Sequence, residues 1–322
     1  MSLTEFELIA RFFSGCGAAR GDVELGVGDD AALLRVADGE VLVAAVDTLV
    51  EGVHFSADAP PASIGHRALA VNLSDLAAMG AHPAWALLAL TVPIADERWL
   101  AEFARGLCAL AGAHEVALVG GDTTRGPCCV TVQALGHLPP GSALRRSGAR
   151  PGDALFLSGT TGDAAAGLLL RQGKLAASAA DEGELRERFE FPTPRVALGE
   201  ALRGHASACI DISDGLLGDA GKLAQASGCG VVISIEELPV SGALTRAVGA
   251  ERARHLALTG GEDYELCFAV SPARVAELER ALPSARWNYR RIGTVREAPG
   301  AIVTRGGTVM QFSHSGYDHF AA

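Results

Sequence analysis

Val119-Gly120-Gly121-Asp122-Thr123-Thr124-Arg125-Gly126 is the stretch on which the reading of this chain turns. It follows one apolar, strand-like run and precedes another. Paired glycines let backbone amides come close to an anion, and the aspartate beside them can hold a divalent cation on that same anion. The segment suits a metal-bound phosphate, although an Asp/Gly hairpin turn would use the same residues. Repetition favours the first reading. Similar Asp and Gly punctuation recurs at Gly28-Asp29-Asp30, Asp47-Thr48, Asn72 to Asp75, Asp211 to Gly215 and Gly260 to Asp263, each close to an apolar stretch.

A chain of 322 residues, 49% hydrophobic and 20% charged, has room for two domains with substantial cores and the composition of a globular enzyme. No apolar run reaches the roughly 18 residues of a membrane span. The start, Met1 to Phe13, lacks the pattern of a signal peptide, so a cytoplasmic location is expected. With 27 basic against 38 acidic side chains the net charge is −11, which argues against nucleic acid or an anionic membrane as partner. An acidic protein that handles phosphate needs another positive charge. The two lysines, Lys174 and Lys222, sit in no Walker motif, so Mg²⁺ is the natural substitute. Seven cysteines without a CxxC pair predict reduced core thiols rather than disulfides or zinc ligands.

Leu3 to Phe13 has helical spacing, and strand-like runs flank Gly26-Val27-Gly28-Asp29-Asp30-Ala31. That segment matches GxGxxA, with Asp47 about 20 residues on, but two carboxylates beside a pyrophosphate would repel it unless a metal intervened. Val41 to Val46 predicts a strand whose end projects Asp47; His54 follows in a glycine-bearing loop. Ser63 is positioned to cap a helix reaching Met79, on which Asn72 and Asp75 share a face. Asp75 then lies either at an exposed edge or beside a cation. Further strands at Trp85 to Val92, Val116 to Val119 and Val130 to Leu135, with a helix capped by Asp96, indicate an α/β or α+β domain. Leu138-Pro139-Pro140-Gly141 marks the boundary, giving domains 1–138 and 139–322.

Beyond it, Arg145-Arg146-Ser147-Gly148 is a compact cationic spot, a surface turn or a grip for phosphate oxygens. Ser158 to Asp163 leads into a helix, and Lys174 to Glu190 reads as a solvated one. Asp211-Ile212-Ser213-Asp214-Gly215 stands where a short strand turns into a helix. Asp211 and Asp214 can face one cation there while Ser213 reaches an anion at the helix start. Gly260-Gly261-Glu262 can present a carboxylate to a ligand or form a plain turn.

Taken together, and in order along nearly the whole chain, these motifs resemble the bacterial thiamine-monophosphate kinases, with Asn72 to Gly80 and Gly316 to Phe320 adding to the match. That family shares a superfamily with aminoimidazole ribonucleotide synthetase and selenophosphate synthetase. The resemblance implies a two-domain α/β and α+β fold: an N-terminal ATP- and Mg²⁺-binding domain whose sheet pairs with a second subunit's in a homodimer, and a C-terminal domain completing the nucleotide and substrate site. It implies that Asp30, Asp47, Asp75, Asp122 and Asp211 hold several Mg²⁺ ions, with Asp214 on a further one. Gly121, Asp122, Arg146 and Ser213 would contact ATP; His54, Glu262 and Tyr317 would line the site for thiamine monophosphate. Ala45 and Val46 depart from the pattern, standing where relatives can carry hydroxyls beside the metal aspartate. The implied reaction makes thiamine diphosphate and ADP without a catalytic base, because a phosphate monoester with a second pKa of about 6 is already mostly dianionic.

Three other readings use the same acids. Selenophosphate-type chemistry would have Cys16 as its early thiol but lacks an accompanying lysine; a Ca²⁺-binding module lacks a DxDxDG loop; a two-metal phosphatase would release phosphate from ATP without an acceptor.

Overall fold

In the computed structural model, which describes residues 4–312, the stretch around Asp122 is a strand rather than a turn. The chain divides into two units, Met1–Leu76 with Ala81–Gly141, and Ala77–Gly80 with Ser142–Ala322. In the first, α1 (Glu5–Phe12) is closed by Thr4 and Glu7, each capping the other's backbone. β1 (Val23–Leu25) and β2 (Leu33–Leu34) form a small antiparallel ribbon. β3 (Val41–Val50), α2 (Pro61–Ala78), β4 (His82–Val92), α3 (Glu97–Ala113), β5 (Ala117–Arg125) and β6 (Cys129–Leu138) complete it. The four-stranded sheet runs β3-β6-β4-β5, and only β4 and β5 pair in parallel. Leu69, Leu73 and Leu76 on α2 and Leu100, Phe103 and Leu107 on α3 are buried. A Cβ on Gly65 would lie 2.1 Å from the Phe103 carbonyl oxygen, so α2 and α3 cross backbone against backbone.

β5 keeps pairing with β4 through the glycines, but its register shifts: Ala86 faces Leu118 and Leu87 faces Gly120, which makes Val119 an extra, bulged residue. A bulge re-aims the side chains that follow it. Asp47 also differs from expectation. It is not at a strand end but within β3, paired with Val132, on the face shared by Val43, Ala45 and Leu49. The opposite face, Leu42, Ala44, Val46 and Thr48, is exposed along this edge strand. Ser63 is no cap: α2 begins at Pro61, and the Ser63 hydroxyl donates to the Pro60 carbonyl.

The second unit contains β7 (Ala154–Ser158), α4 (Asp163–Arg171), α5 (Ala179–Glu190), α6 (Val196–Leu202), β8 (Ala208–Asp211), α7 (Leu216–Ala226), β9 (Gly230–Ser234), α8 (Gly242–Val248) and α9 (Ala250–Thr259). β10 (Leu266–Val270), α10 (Val275–Ala281), α11 (Ser284–Trp287), β11 (Tyr289–Arg296), β12 (Gly300–Arg305) and β13 (Thr308–Met310) follow. Their seven-stranded sheet runs β13-β12-β9-β11-β7-β10-β8, antiparallel except between β12 and β9. Leu157, Ile210, Leu223, Val231, Leu258 and Ile292 belong to its main core. The helix read as solvated, α5, instead buries Asp181, Leu185 and Phe189.

The cysteine expectation also fails at one pair. Cys16 and Cys108 form a disulfide, their Cα atoms 4.9 Å apart across 92 residues, while the other five cysteines are free thiols. No spacing motif announces it, because α1 and α3 must meet before these sulfurs do. No helix among the described residues is long and apolar enough to cross a membrane.

Candidate functional site

The bulge in β5 opens on a cavity of about 760 Å³ within the first unit. Its polar wall combines Asp29 and Asp30 from the loop between β1 and β2 with Gly120, Gly121 and Asp122 from β5; Phe6, Ile9 and Phe13 contribute to its apolar wall. Gly121 has φ +145°, and a Cβ there would stand 1.8 Å from the Leu88 carbonyl oxygen, so only glycine lets β5 lie this close to β4. Asp29 turns its carboxylate back onto the Asp30 amide at 2.8 Å. Asp30 and Asp122 are both exposed on the cavity wall.

Sequence reasoning also placed Asp47, Asp75 and His54 at the site. They belong to the same unit, but do not line this cavity: Asp47 is half-buried within β3, Asp75 half-buried on α2, and His54 follows β3. The Val50 amide donates to His54 Nδ1 at 3.0 Å, which places the ring proton of a neutral imidazole on Nε2. Arg67 donates to the His54 carbonyl at 3.0 Å. Asn72, a turn before Asp75, is fully buried and donates to the Ala68 carbonyl.

In the second unit, two loops gather Asp211, Ser213, Asp214 and Glu262. The Glu262 and Tyr264 amides donate to the Ser213 and Ile212 carbonyls, each at 2.8 Å, and the Ile212 amide donates to Glu265. The Tyr264 hydroxyl reaches the Glu262 carboxylate at 3.2 Å. Asp211 is buried at the end of β8. The amides of the turn leading into α7, where an anion was expected, are already bonded. Asp219 Oδ2 accepts from the Ser213, Asp214 and Gly215 amides at 3.0, 2.9 and 3.1 Å. Any nucleotide contact by Ser213 must therefore use its hydroxyl. At the start of α4 the same substitution occurs, with Asp263 accepting from Gly162 and Ala164. Burial pushes the Asp263 carboxyl up to about 8.

Glu265 anchors this loop from behind. It is wholly buried and accepts from Ser158, Arg188 and Arg195. Burial alone would raise its pKa, but the two guanidiniums and the hydroxyl outweigh it and hold the carboxyl below its usual range. Arg146 sits exposed on a loop pinned by Ser227, whose hydroxyl accepts from Gly148 and Ala149 and donates to the Arg146 carbonyl. Tyr317 lies outside the described residues.

Residues 28–138 match the AIR synthase related protein, N-terminal domain, and residues 150–306 the corresponding C-terminal domain. The thiamine-monophosphate kinase of Salmonella typhimurium is 47% identical over 323 residues, spanning 100% of this chain and 99% of that one. The chain belongs to the thiamine-monophosphate kinase family. The crystal structure of the thiamine-monophosphate kinase from Stenotrophomonas maltophilia K279a superposes with a TM-score of 0.87 at 46% identity, covering 96% of this chain and 99% of that one. A structure of AaThiL complexed with AMPPCP and TMP superposes at 0.78, with 32% identity and 89% of each chain covered.

Of the aspartates singled out in this member of the thiamine-monophosphate kinase family, Asp30 and Asp122 share a cavity wall in the first unit, Asp47 and Asp75 stand apart from it in the same unit, and Asp211 and Asp214 belong to the second. Among the described residues no three His, Cys, Asp or Glu side chains close into a metal cage. The donor chemistry still fits Mg²⁺, which is ordinarily held by one or two carboxylates together with phosphate oxygens and water rather than by an all-protein cage. Asp219, Lys222, Ser227 and Glu265 were missed from the sequence. Only the Asp219 and Lys222 spacing, i and i+3 on one helix face, offered a signal.

Proposed function

We propose that this chain transfers the γ-phosphoryl group of ATP to the phosphate of thiamine monophosphate, forming thiamine diphosphate and ADP. An acceptor phosphate oxygen bonds to the γ-phosphorus while the bond to the β,γ-bridging oxygen breaks, and ADP leaves with that electron pair. The acceptor is already dianionic near neutral pH, so no side chain need remove a proton. The difficulty is mutual repulsion between two polyanions, and the chain answers it with positioning.

The observation that carries this reading is the cavity that places Asp30 and Asp122 together beside Gly121, where β5 runs against β4 with no side chain between. Asp30 and Asp122 would hold Mg²⁺ against the ATP phosphates, with Asp47, Asp75, Asp211 and Asp214 as further ligands. Bound there, the ions would neutralise phosphate charge and align the reacting oxygens. Gly121, Asp122, the exposed Arg146 and the Ser213 hydroxyl take the nucleotide; His54, Glu262 and Tyr317 take thiamine monophosphate. The AMPPCP and TMP held by AaThiL support the choice of nucleotide and acceptor.

The test follows thiamine diphosphate formation from ATP, Mg²⁺ and thiamine monophosphate. Asp122→Asn should lose about a hundredfold or more in kcat, as loss of a group supporting transition-state charge does. Equal product from native and variant chains would remove Asp122 from the site. Rapid phosphate release without acceptor would favour a phosphatase.

The exposed apolar face of β3, with Leu42 at 49% and Val46 at 62% accessibility, supports a homodimer in which two edge strands pair. Val46→Glu should leave a monomeric mass in light scattering. A native chain that is already monomeric at micromolar concentration would refute the pairing.

A further inference from the structure

Ser and Asp are the best N-cap residues, yet neither Ser213 nor Asp214 caps α7. The capping position is Gly215, at φ +123°, which has no side chain to offer. The turn ahead of the helix is instead held from inside: Asp219, one turn along α7 and 1% exposed, bonds the amides of Ser213, Asp214 and Gly215. Its other oxygen accepts from Lys222 Nζ at 2.8 Å, and the same ammonium grips the Asp214 carboxylate. Ser213 and Asp214 thus stand ahead of the helix on a turn whose amides are bonded, and the Asp214 charge is held by an internal cation.

We propose that Asp219 and Lys222 are positioning residues for the Ser213-Asp214 turn, Asp219 fixing its backbone and Lys222 holding the Asp214 carboxylate until a ligand cation replaces the ammonium. The proposal rests on the kinase reading for its purpose, but not for its geometry. On the other side of the turn, the Glu262 and Tyr264 amides clamp the Ser213 and Ile212 carbonyls.

Three measurements on the full chain decide it. Asp219→Asn keeps the shape but loses the charge and one acceptor, so amides 213–215 should exchange with deuterium about tenfold faster, in line with the loss of buried hydrogen bonds, while β10 and α9 keep their protection. The KM for ATP should rise by about the same factor with a smaller change in kcat, the mark of lost ground-state positioning. Lys222→Met removes a side chain that is 43% exposed and leaves Asp219 in place. Mn²⁺, titrated by electron paramagnetic resonance without nucleotide, should then bind several-fold more tightly, and Lys222→Arg should restore native affinity. Unchanged exchange in Asp219→Asn, or unchanged or weaker Mn²⁺ binding in Lys222→Met, overturns the corresponding half. If the native chain makes no thiamine diphosphate, the kinase reading fails on its own, and exchange and Mn²⁺ binding still decide this one.

Discussion

Replacing Gly121 with alanine tests the central geometric claim, that β5 approaches β4 too closely for a side chain. Two costs add. Holding a non-glycine residue in a sparsely populated backbone conformation costs about 1–3 kcal/mol, and Gly121 sits at φ +145°. The new methyl would lie 1.8 Å from the Leu88 carbonyl oxygen, 2.6 Å from its carbon and 2.8 Å from the Leu88 nitrogen. Those are backbone atoms inside a paired strand, so relief requires the strands to separate, an overpacking cost of about 1–3 kcal/mol. The sum is about 2–6 kcal/mol. Gly28→Ala is the control: φ is +119°, but nothing lies within 4 Å of the added Cβ, so only the first cost applies. Urea unfolding is followed by tryptophan fluorescence in a Trp287→Phe background, leaving Trp85 and Trp99, both in the first unit, as reporters. Gly121→Ala should be the less stable of the two, and its KM for ATP should rise because Asp122 moves with the strand. Equal destabilisation by both substitutions would refute the close-approach argument.

Three further outcomes are expected. Glu265→Gln leaves Arg188 and Arg195 facing a neutral group in a buried site and should destabilise by about 3–5 kcal/mol; a loss below about 1 kcal/mol would show that the network is dispensable. With its carboxyl raised from 3.8 to about 8, Asp263 is protonated in the native chain where the unfolded chain is ionised. Its contribution is complete below pH 4 and is lost progressively as pH rises to about 8, so unfolding free energy should fall between about pH 4 and 8 in the native chain, level off above that, and fall less in Asp263→Asn. Thiol titration of the denatured chain should count five free cysteines before reduction and seven after. Reduction should cost about 4–5 kcal/mol of stability, the chain entropy of a loop closed across 92 residues. Seven thiols at the outset would remove the Cys16–Cys108 bond.

The acidic motifs were legible because glycine and aspartate carry their meaning locally: each marks a special backbone conformation or a charge that needs a partner. The strand character of Gly120 to Arg125 was not, since glycine and aspartate are depleted in strands and a turn is their ordinary reading. Pairing with β4 overrides that preference. Asp47 was misplaced for the converse reason: a β-rich run shows where a strand begins, but β3 continues past the aspartate because β6 supplies partners as far as Cys129. In the same way α5 reads as solvated from its charges, and Arg188 instead reaches a glutamate 77 residues away.

Order along the chain, residue chemistry and composition were enough to establish the α/β and α+β class and the family, because those properties reside in short segments and survive without coordinates. Which acids share a wall, which carboxylates occupy backbone amides at the helix starts, and which two cysteines meet were settled by folding. Each depends on burial or on contact between residues distant in sequence, and neither quantity exists until the elements have packed.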